Sequence, residues 1–322
     1  MLLSVFLFAV GLVLLIKGGD WFVDGATGIA RRFHLPDIIV GATVVSIGTT
    51  LPEVMVSATG ALGGQGSMAY GNAIGSIICN TSLIAAISVA CNPGTVNTKT
   101  MKMPVIFFFL SAAVYCVAAY VLGEFPRWLG FVLLGIFVVY MFLTVRQGLK
   151  NPEAAHEAEE GGQKEKKLWQ ELLLLIAGAA IIAVGADLLV DNGTLIAQKL
   201  GVPETVIALT FVALGTSLPE LVTTITSLRK GHASLGIGNV IGANIFNLVL
   251  VSGISVALAP FEVPVGNLIA GINSSLILDI PLMVVVMALL TLPALLRKKL
   301  GRWQGILLLC IYAAFCVVQF AL

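Results

Sequence analysis

Two short stretches hold the residues able to do chemistry. Gly48-Thr49-Thr50-Leu51-Pro52-Glu53 has a near copy 167 positions later, Gly215-Thr216-Ser217-Leu218-Pro219-Glu220. Each sets a carboxylate, two hydroxyls and a helix-breaking proline in a run otherwise apolar enough for lipid, where an unpaired charge costs about 2.5–3.5 kcal/mol or more. Something must offset that cost. Ser46, Thr49 and Thr50 precede Glu53 by seven, four and three residues, so a helix places all four on one face. The same places before Glu220 are held by Ala213, Thr216 and Ser217. Pro52 cannot donate to the carbonyl of Gly48, nor Pro219 to that of Gly215, and each helix is left with free carbonyl oxygen at membrane depth. Such backbone is tolerated where it lines a cavity.

Carboxylates, hydroxyls and bare carbonyls are hard oxygen donors, a set that favours Ca²⁺ or Na⁺ over a soft transition metal. One Ca²⁺ balances two glutamates, and several Na⁺ could use the same oxygens. Asn72, Ser76 and Asn80 follow at a spacing of four, with Asn239, Ala243 and Asn247 as their counterparts. The amides and Ser76 supply neutral ligands or hold the glutamates in position. A lone buried glutamate would equally fit a protonated structural carboxylate; two matched copies with proline and hydroxyls favour a cation site. Gly71 and Gly75, like Gly238 and Gly242, have the GxxxG spacing of helix packing. Asp20, Asp24, Asp187 and Asp191 are expected at helix ends as interfacial caps, with the first helix ending around Gly18-Gly19-Asp20-Trp21.

These residues must be carried by membrane helices. Of 322 residues, 58% are apolar and 11% charged, far from the soluble balance of about half and a quarter. A spanning helix needs about 20 apolar residues; ten such stretches are centred near Phe8, Gly48, Ile78, Ser111, Val138, Ile181, Leu214, Val249, Ile280 and Ile311. The expected fold is an all-α integral membrane protein with ten transmembrane helices. Leu2 to Ile16 has the length of a signal peptide but lacks a basic start and a clear cleavage site, and is kept as the first helix. Alternate loops collect Arg31, Arg32, Lys99, Lys102, Arg146, Lys150, Lys164, Lys166, Lys167, Arg229, Lys230, Arg297, Lys298, Lys299 and Arg302, against Arg127 and Lys199 in the others. The positive-inside rule then puts both termini outside and the loop 147–168 in the cytoplasm of a cell membrane. That loop is charged and reads as a solvated linker.

A shift of 167 positions aligns Gly11–Pro93 with Gly178–Pro260 without a gap, and roughly a third of the positions are identical. Asp20 meets Asp187, Asp24 meets Asp191, Asn72 meets Asn239 and Asn80 meets Asn247. Five helices per half is odd, so the second half enters the membrane from the opposite side. The expected organisation is a first five-helix repeat over 1–146, a linker over 147–168 and an inverted repeat over 169–322. Inverted repeats are an architecture of secondary transporters, with the site at the repeat interface near the midplane.

Other classes fit poorly. Five cysteines without CxxC spacing and three scattered histidines give neither a disulfide framework nor a zinc site. Neither a GxGD motif nor a Ser–His pair suggests an intramembrane enzyme, and a channel would normally draw its acidic ring from subunit symmetry rather than an inverted internal pair. No cofactor, nucleic acid or obligate protein partner is expected beyond the lipid bilayer and the ions.

At the paired G-[ST]-[ST]-x-P-E motifs and the GN-x-x-G-x-x-x-x-N stretches after them, the chain resembles the cation/calcium exchanger superfamily, most closely its sodium/calcium exchanger branch of prokaryotic type. The resemblance covers essentially the whole chain. It implies ion-coordinating carboxylates at Glu53 and Glu220, and coordinating hydroxyls and carbonyls at Thr49, Thr50, Thr216 and Ser217. Further Na⁺ ligands would be the backbone oxygens of Ser46 and Ala213 and the side chains of Ser76, Asn80 and Asn247. It also implies Na⁺/Ca²⁺ antiport by alternating access, with helices 1 and 6 sliding across a core of helices 2, 3, 7 and 8. Proton/Ca²⁺ antiport through the same glutamates is the alternative; the GTSLPE form favours Na⁺. Ala243, where relatives often have a hydroxyl, would weaken an outer Na⁺ site, and Asn247 in place of the Asp of potassium-dependent relatives argues against K⁺ co-transport.

Overall fold

The computed structural model describes residues 2–150, 166–200, 215–265, 268–269 and 271–321. Its helices are α1 (Leu2–Arg32), α2 (Asp37–Leu62), α3 (Gly66–Cys91), α4 (Thr98–Leu122), α5 (Arg127–Lys150), α6 (Leu168–Lys199), α7 (Leu218–Arg229), α8 (Ala233–Leu258), α9 (Ser275–Arg297) and α10 (Arg302–Ala321). Among the described residues nine are long and apolar enough to cross a membrane. The other, α7, is the described part of the stretch centred near Leu214. The fold is an all-α membrane protein with two inverted halves.

The inversion is visible in two short ladders. Gly94–Thr95, between α3 and α4, pairs antiparallel with Lys299–Leu300, between α9 and α10. Glu124–Phe125, between α4 and α5, pairs with Phe261–Glu262, between α8 and α9. Gly94–Thr95 and Phe261–Glu262 are 167 positions apart, yet they join ladders at opposite ends of α4. Equivalent loops of the two halves therefore lie on opposite faces.

Apolar packing divides the helices into two groups. The larger buried cluster is drawn from α2–α5 and α8–α10, with Leu221 of α7 at its edge. A smaller one joins Leu15, Phe22, Val23, Ala26 and Ala30 of α1 to Ile182 and Ala186 of α6, touching Val40, Val45 and Leu235. None of the larger cluster's described members comes from α1 or α6. These two helices run antiparallel with backbones almost in contact: a Cβ on Gly11 would lie 2.9 Å from the Gly185 carbonyl oxygen, and one on Gly178 would lie 2.9 Å from that of Gly18. The four glycines form two repeat-related pairs.

This corrects one expectation. α1 does not end near Gly18 but continues to Arg32, because Gly18 and Gly19 serve close packing rather than termination. Asp20 and Asp24 consequently sit inside α1, and Asp187 and Asp191 inside α6, rather than capping helix ends. At 31 and 32 residues, both helices exceed the ~20 that span the hydrocarbon core, so they cross at a tilt or stand out of the bilayer.

Among the described residues, five π-helical turns lie within or at the ends of these helices: Gly41–Val45 in α2, Asn80–Ala85 in α3, Ala118–Leu122 in α4, Asn247–Val251 in α8 and Ser275–Asp279 in α9. Asn80 and Asn247 each open one, at repeat-equivalent positions. Such turns recur at functional sites because they release backbone groups from the regular ladder.

Candidate cation site

Ser46, Thr49, Thr50 and Glu53 all fall on the buried side of α2, whereas the intervening Ile47 and Leu51 are exposed. The helix passes through Pro52 without a break. In the second copy α7 begins at Leu218, with Pro219 in its first turn and Thr216 and Ser217 in the turn before it. Glu220, like Glu53, is fully buried.

Hydrogen bonds across the halves fix this arrangement in matched pairs. Thr49 Oγ1 donates to Asn239 Oδ1 on α8 at 3.2 Å, and its repeat mate Thr216 Oγ1 donates to Asn72 Oδ1 on α3 at 3.3 Å. Asn72 Nδ2 donates to the Glu53 carbonyl at 3.1 Å and to Ser57 Oγ at 2.7 Å. Ser46 Oγ lies 2.8 Å from the Gly41 carbonyl and 3.0 Å from that of Asn239. Asn72 and Asn239 thus tie each motif to the opposite half.

Inside this frame is a group of buried polar atoms with no protein hydrogen-bond partner among the described residues. It comprises both carboxylate oxygens of Glu53 and of Glu220, the hydroxyls of Thr50 and Ser217, and the amides of Asn80 and Asn247. Glu53 and Glu220 are within electrostatic reach of one another. Thr49 and Thr50 lie beside the Glu220 carboxylate without closing a hydrogen bond to it. Each such atom costs about 1–3 kcal/mol, more if charged, and a native fold carries few. Eight oxygens with two carboxylates among them suit a hard cation that takes 6–8 oxygen ligands. The donors are carboxylate, hydroxyl and amide groups without a thiolate or imidazole among them, a hard set that suits Ca²⁺ or Na⁺ better than a soft transition metal. Ser76 and Ala243 are buried beside their asparagines on α3 and α8. Ala213 lies outside the described residues.

Four features were not anticipated from sequence. Thr223, Thr224 and Ser227 add buried hydroxyls on α7 without a partner among the described residues. Thr224 is the repeat mate of Ser57, each four residues after its glutamate; comparison by hydroxyl rather than by identical letter would have found the pair. Asn244 Nδ2 donates to Thr81 Oγ1 at 2.7 Å across the halves; its repeat mate is Ile77, so the repeat conceals it. The glycine opening each motif makes room for the α1/α6 pair, since a Cβ on Gly48 would meet Phe22 at 3.0 Å and one on Gly215 would meet Val190 at 2.7 Å. Asp279 in α9 is a further membrane carboxylate, but it accepts from Gln319 Nε2 at 3.0 Å.

A cleft of about 850 Å³ runs between α6 and α2, with Thr49, Thr216 and Pro52 on its wall together with Asp187 and Asp191. The two aspartates expected at a helix end therefore line an approach to the motifs.

An inverted ten-helix fold around paired glutamates, hydroxyls and amides defines a membrane transporter of the inverted-repeat class. The family model described as sodium/calcium exchanger protein matches residues 3–146 and 171–321, and the chain belongs to that family. It is similar to the sodium/calcium exchanger MaX1 of Methanosarcina acetivorans, 29% identical with 96% of each chain covered. It is also similar to the inner membrane protein YrbG of Escherichia coli, 38% identical over 82% of each. A solved structure of the sodium-calcium exchanger NCX_Mj soaked with Na⁺ and Sr²⁺ superposes with a TM-score of 0.81 at 33% identity, 97% of each chain being covered.

Proposed function

We propose that this protein is an antiporter that uses Na⁺ influx to carry Ca²⁺ out of the cell. The observation that carries the reading is the pair of buried, inverted glutamates whose carboxylate oxygens have no partner among the described residues. A site of this charge is stable when loaded with Ca²⁺ or Na⁺ and costly when empty, so only loaded forms cross between access states, which couples the two fluxes. Glu53 and Glu220 are the carboxylate ligands in this reading. Thr49, Thr50, Thr216 and Ser217 supply hydroxyls and carbonyls, and the Ser46 and Ala213 carbonyls, Ser76, Asn80 and Asn247 complete the Na⁺ positions. Asn72 and Asn239 hold the frame. Support for Na⁺ as coupling ion comes from the exchangers named among its relatives.

The two halves, 1–146 and 169–322, would be joined by the cytoplasmic loop 147–168, with both termini outside a cell membrane. The separately packed α1/α6 pair would slide across the rest to alternate access. Proton/Ca²⁺ exchange is the competing reading, because protons can neutralise the same carboxylates. Ca²⁺ uptake into inside-out vesicles under an imposed Na⁺ gradient at fixed pH separates them. Uptake that follows the Na⁺ gradient is expected; uptake that follows only a pH gradient would overturn Na⁺ coupling.

A further inference from the structure

We propose that Lys230 is a gating residue that latches α1 against α7 at the basic face, so that the exchanger rests open to the opposite face. The inference builds on alternating access by α1 and α6. Lys230 follows the last residue of α7. Its Nζ lies 2.8 Å from Asp24 Oδ1, 2.8 Å from the Asp20 carbonyl oxygen and 3.6 Å from Asp20 Oδ1, all on α1. Its position just beyond the α7 C-terminus places a cation where the helix dipole favours one.

The ion pair closes a tight seam. Val222, Thr226 and Lys230 recur every four residues and share one face of α7. Gly19 of α1 presses against it so closely that a Cβ there would lie 2.7 Å from Val222 Cγ1 and 2.9 Å from Thr226 Oγ1. α1 cannot slide along α7 without parting this contact.

The repeat supplies an internal control. Counting back 167 positions, the equivalent stripe is Met55 and Thr59 of α2 with Gly63 just past its end, and the equivalents of Asp20 and Asp24 are Asp187 and Asp191 of α6. There the seam is parted: Met55 is 65% exposed, and the cleft carrying Asp187 and Asp191 reaches it. Gly63 has no side chain to offer, and neither aspartate has an ion-pair partner among the described residues. One seam is shut by a lysine between two aspartates; its mate is open and holds two aspartates without the lysine. The two access states therefore differ in energy by a term written into the sequence.

The test uses the full chain with its five cysteines replaced and one reporter at a time, Thr226→Cys or its repeat mate Thr59→Cys, labelled in oriented vesicles by a membrane-impermeant maleimide. Lys230→Gln should speed labelling of the 226 reporter from the basic face by roughly two- to fivefold, the range a partly exposed ion pair spans, and slow that of the 59 reporter from the other face. Lys230→Arg should label like wild type. Lys230→Asp should label fastest at position 226, and adding Asp24→Lys should return the rate toward wild type. Unchanged labelling in Lys230→Gln overturns the proposal. So does faster labelling at 226 with no slowing at 59, which would mean local loosening. Labelling needs no particular transported ion, so vesicles that lack Na⁺-driven uptake would refute only the coupling ion.

Discussion

At the scale of single residues, the fold satisfies some buried polar atoms and leaves others without partners among the described residues. Asp279 shows that this chain can satisfy a membrane carboxylate when it needs to, since Gln319 donates to it. Glu53 and Glu220 are left with four carboxylate oxygens that have no partner among the described residues. Removing one partner of a buried ion pair typically costs about 3–5 kcal/mol, and a carboxylate facing a bound cation would be such a partner, its loss a factor of roughly a hundred or more in affinity. Glu53→Gln and Glu220→Gln should each abolish measurable Ca²⁺ uptake while the protein still inserts and purifies as a single species. Wild-type uptake by both would sink the site. Ser217→Ala removes one neutral donor of about 0.5–1.5 kcal/mol, so it should raise the Ca²⁺ concentration for half-maximal uptake about three- to tenfold with little change in maximal rate. The asparagines of the frame should respond differently. Asn72→Ala deletes bonds to the Glu53 carbonyl, Ser57 and Thr216 together, and should lower the thermal unfolding midpoint as well as ion affinity, whereas Ser217→Ala should leave the midpoint near wild type.

At the scale of helices, small residues decide how closely the elements approach, and the two GxxxG stretches are not used alike. A Cβ on Gly238 would lie 2.3 Å from the Ile38 carbonyl oxygen and one on Gly242 2.3 Å from Ser46 Oγ, so α8 is pressed onto α2 there. Gly71 and Gly75 have nothing within 4 Å. Gly242→Ala should therefore cost stability and disturb the Ser46–Asn239 contact, visible as a lower midpoint in a fluorescence melt. Gly135→Ala, at an exposed position of α5 with open space around it, should be neutral or slightly stabilising. The same physics explains what was legible in the sequence. Glu53 and Glu220 stood out because a charge in an apolar run is costly whatever surrounds it, and the repeat exposed their pairing. Gly18 and Gly19 misled, because a glycine pair reads as a helix end unless its packing partners are known, and those partners, α6 for Gly18 and α7 for Gly19, lie more than 150 residues further on. Ser57 and Thr224 escaped notice because the two positions carry different letters, and Asn244 because its partner across the halves, Thr81, is set by packing rather than by local spacing.

At the scale of the whole molecule, the halves are interleaved rather than adjacent. α1 packs on α6 through two repeat-related glycine pairs, the larger apolar cluster draws on both halves, and the ladders Gly94–Thr95 with Lys299–Leu300 and Glu124–Phe125 with Phe261–Glu262 each have one strand from each half. Thr49–Asn239 and Thr216–Asn72 cross the same boundary inside the site. With so much of the stabilising contact between halves, the covalent link over 147–168 should contribute chiefly effective concentration, and its loss should be tolerated once both pieces share a membrane. Fragments 1–150 and 166–322, co-expressed from separate start codons with a tag on the second alone, should co-purify and show cation uptake within a few-fold of the intact chain. Either fragment expressed alone should be degraded or aggregate, because its half of the site would present glutamate and amide groups to lipid without the opposite asparagine. Recovery of a stable, monodisperse single half would contradict this account of the fold, since it would mean that each half satisfies its own buried polar groups and that the matched bonds between them are incidental.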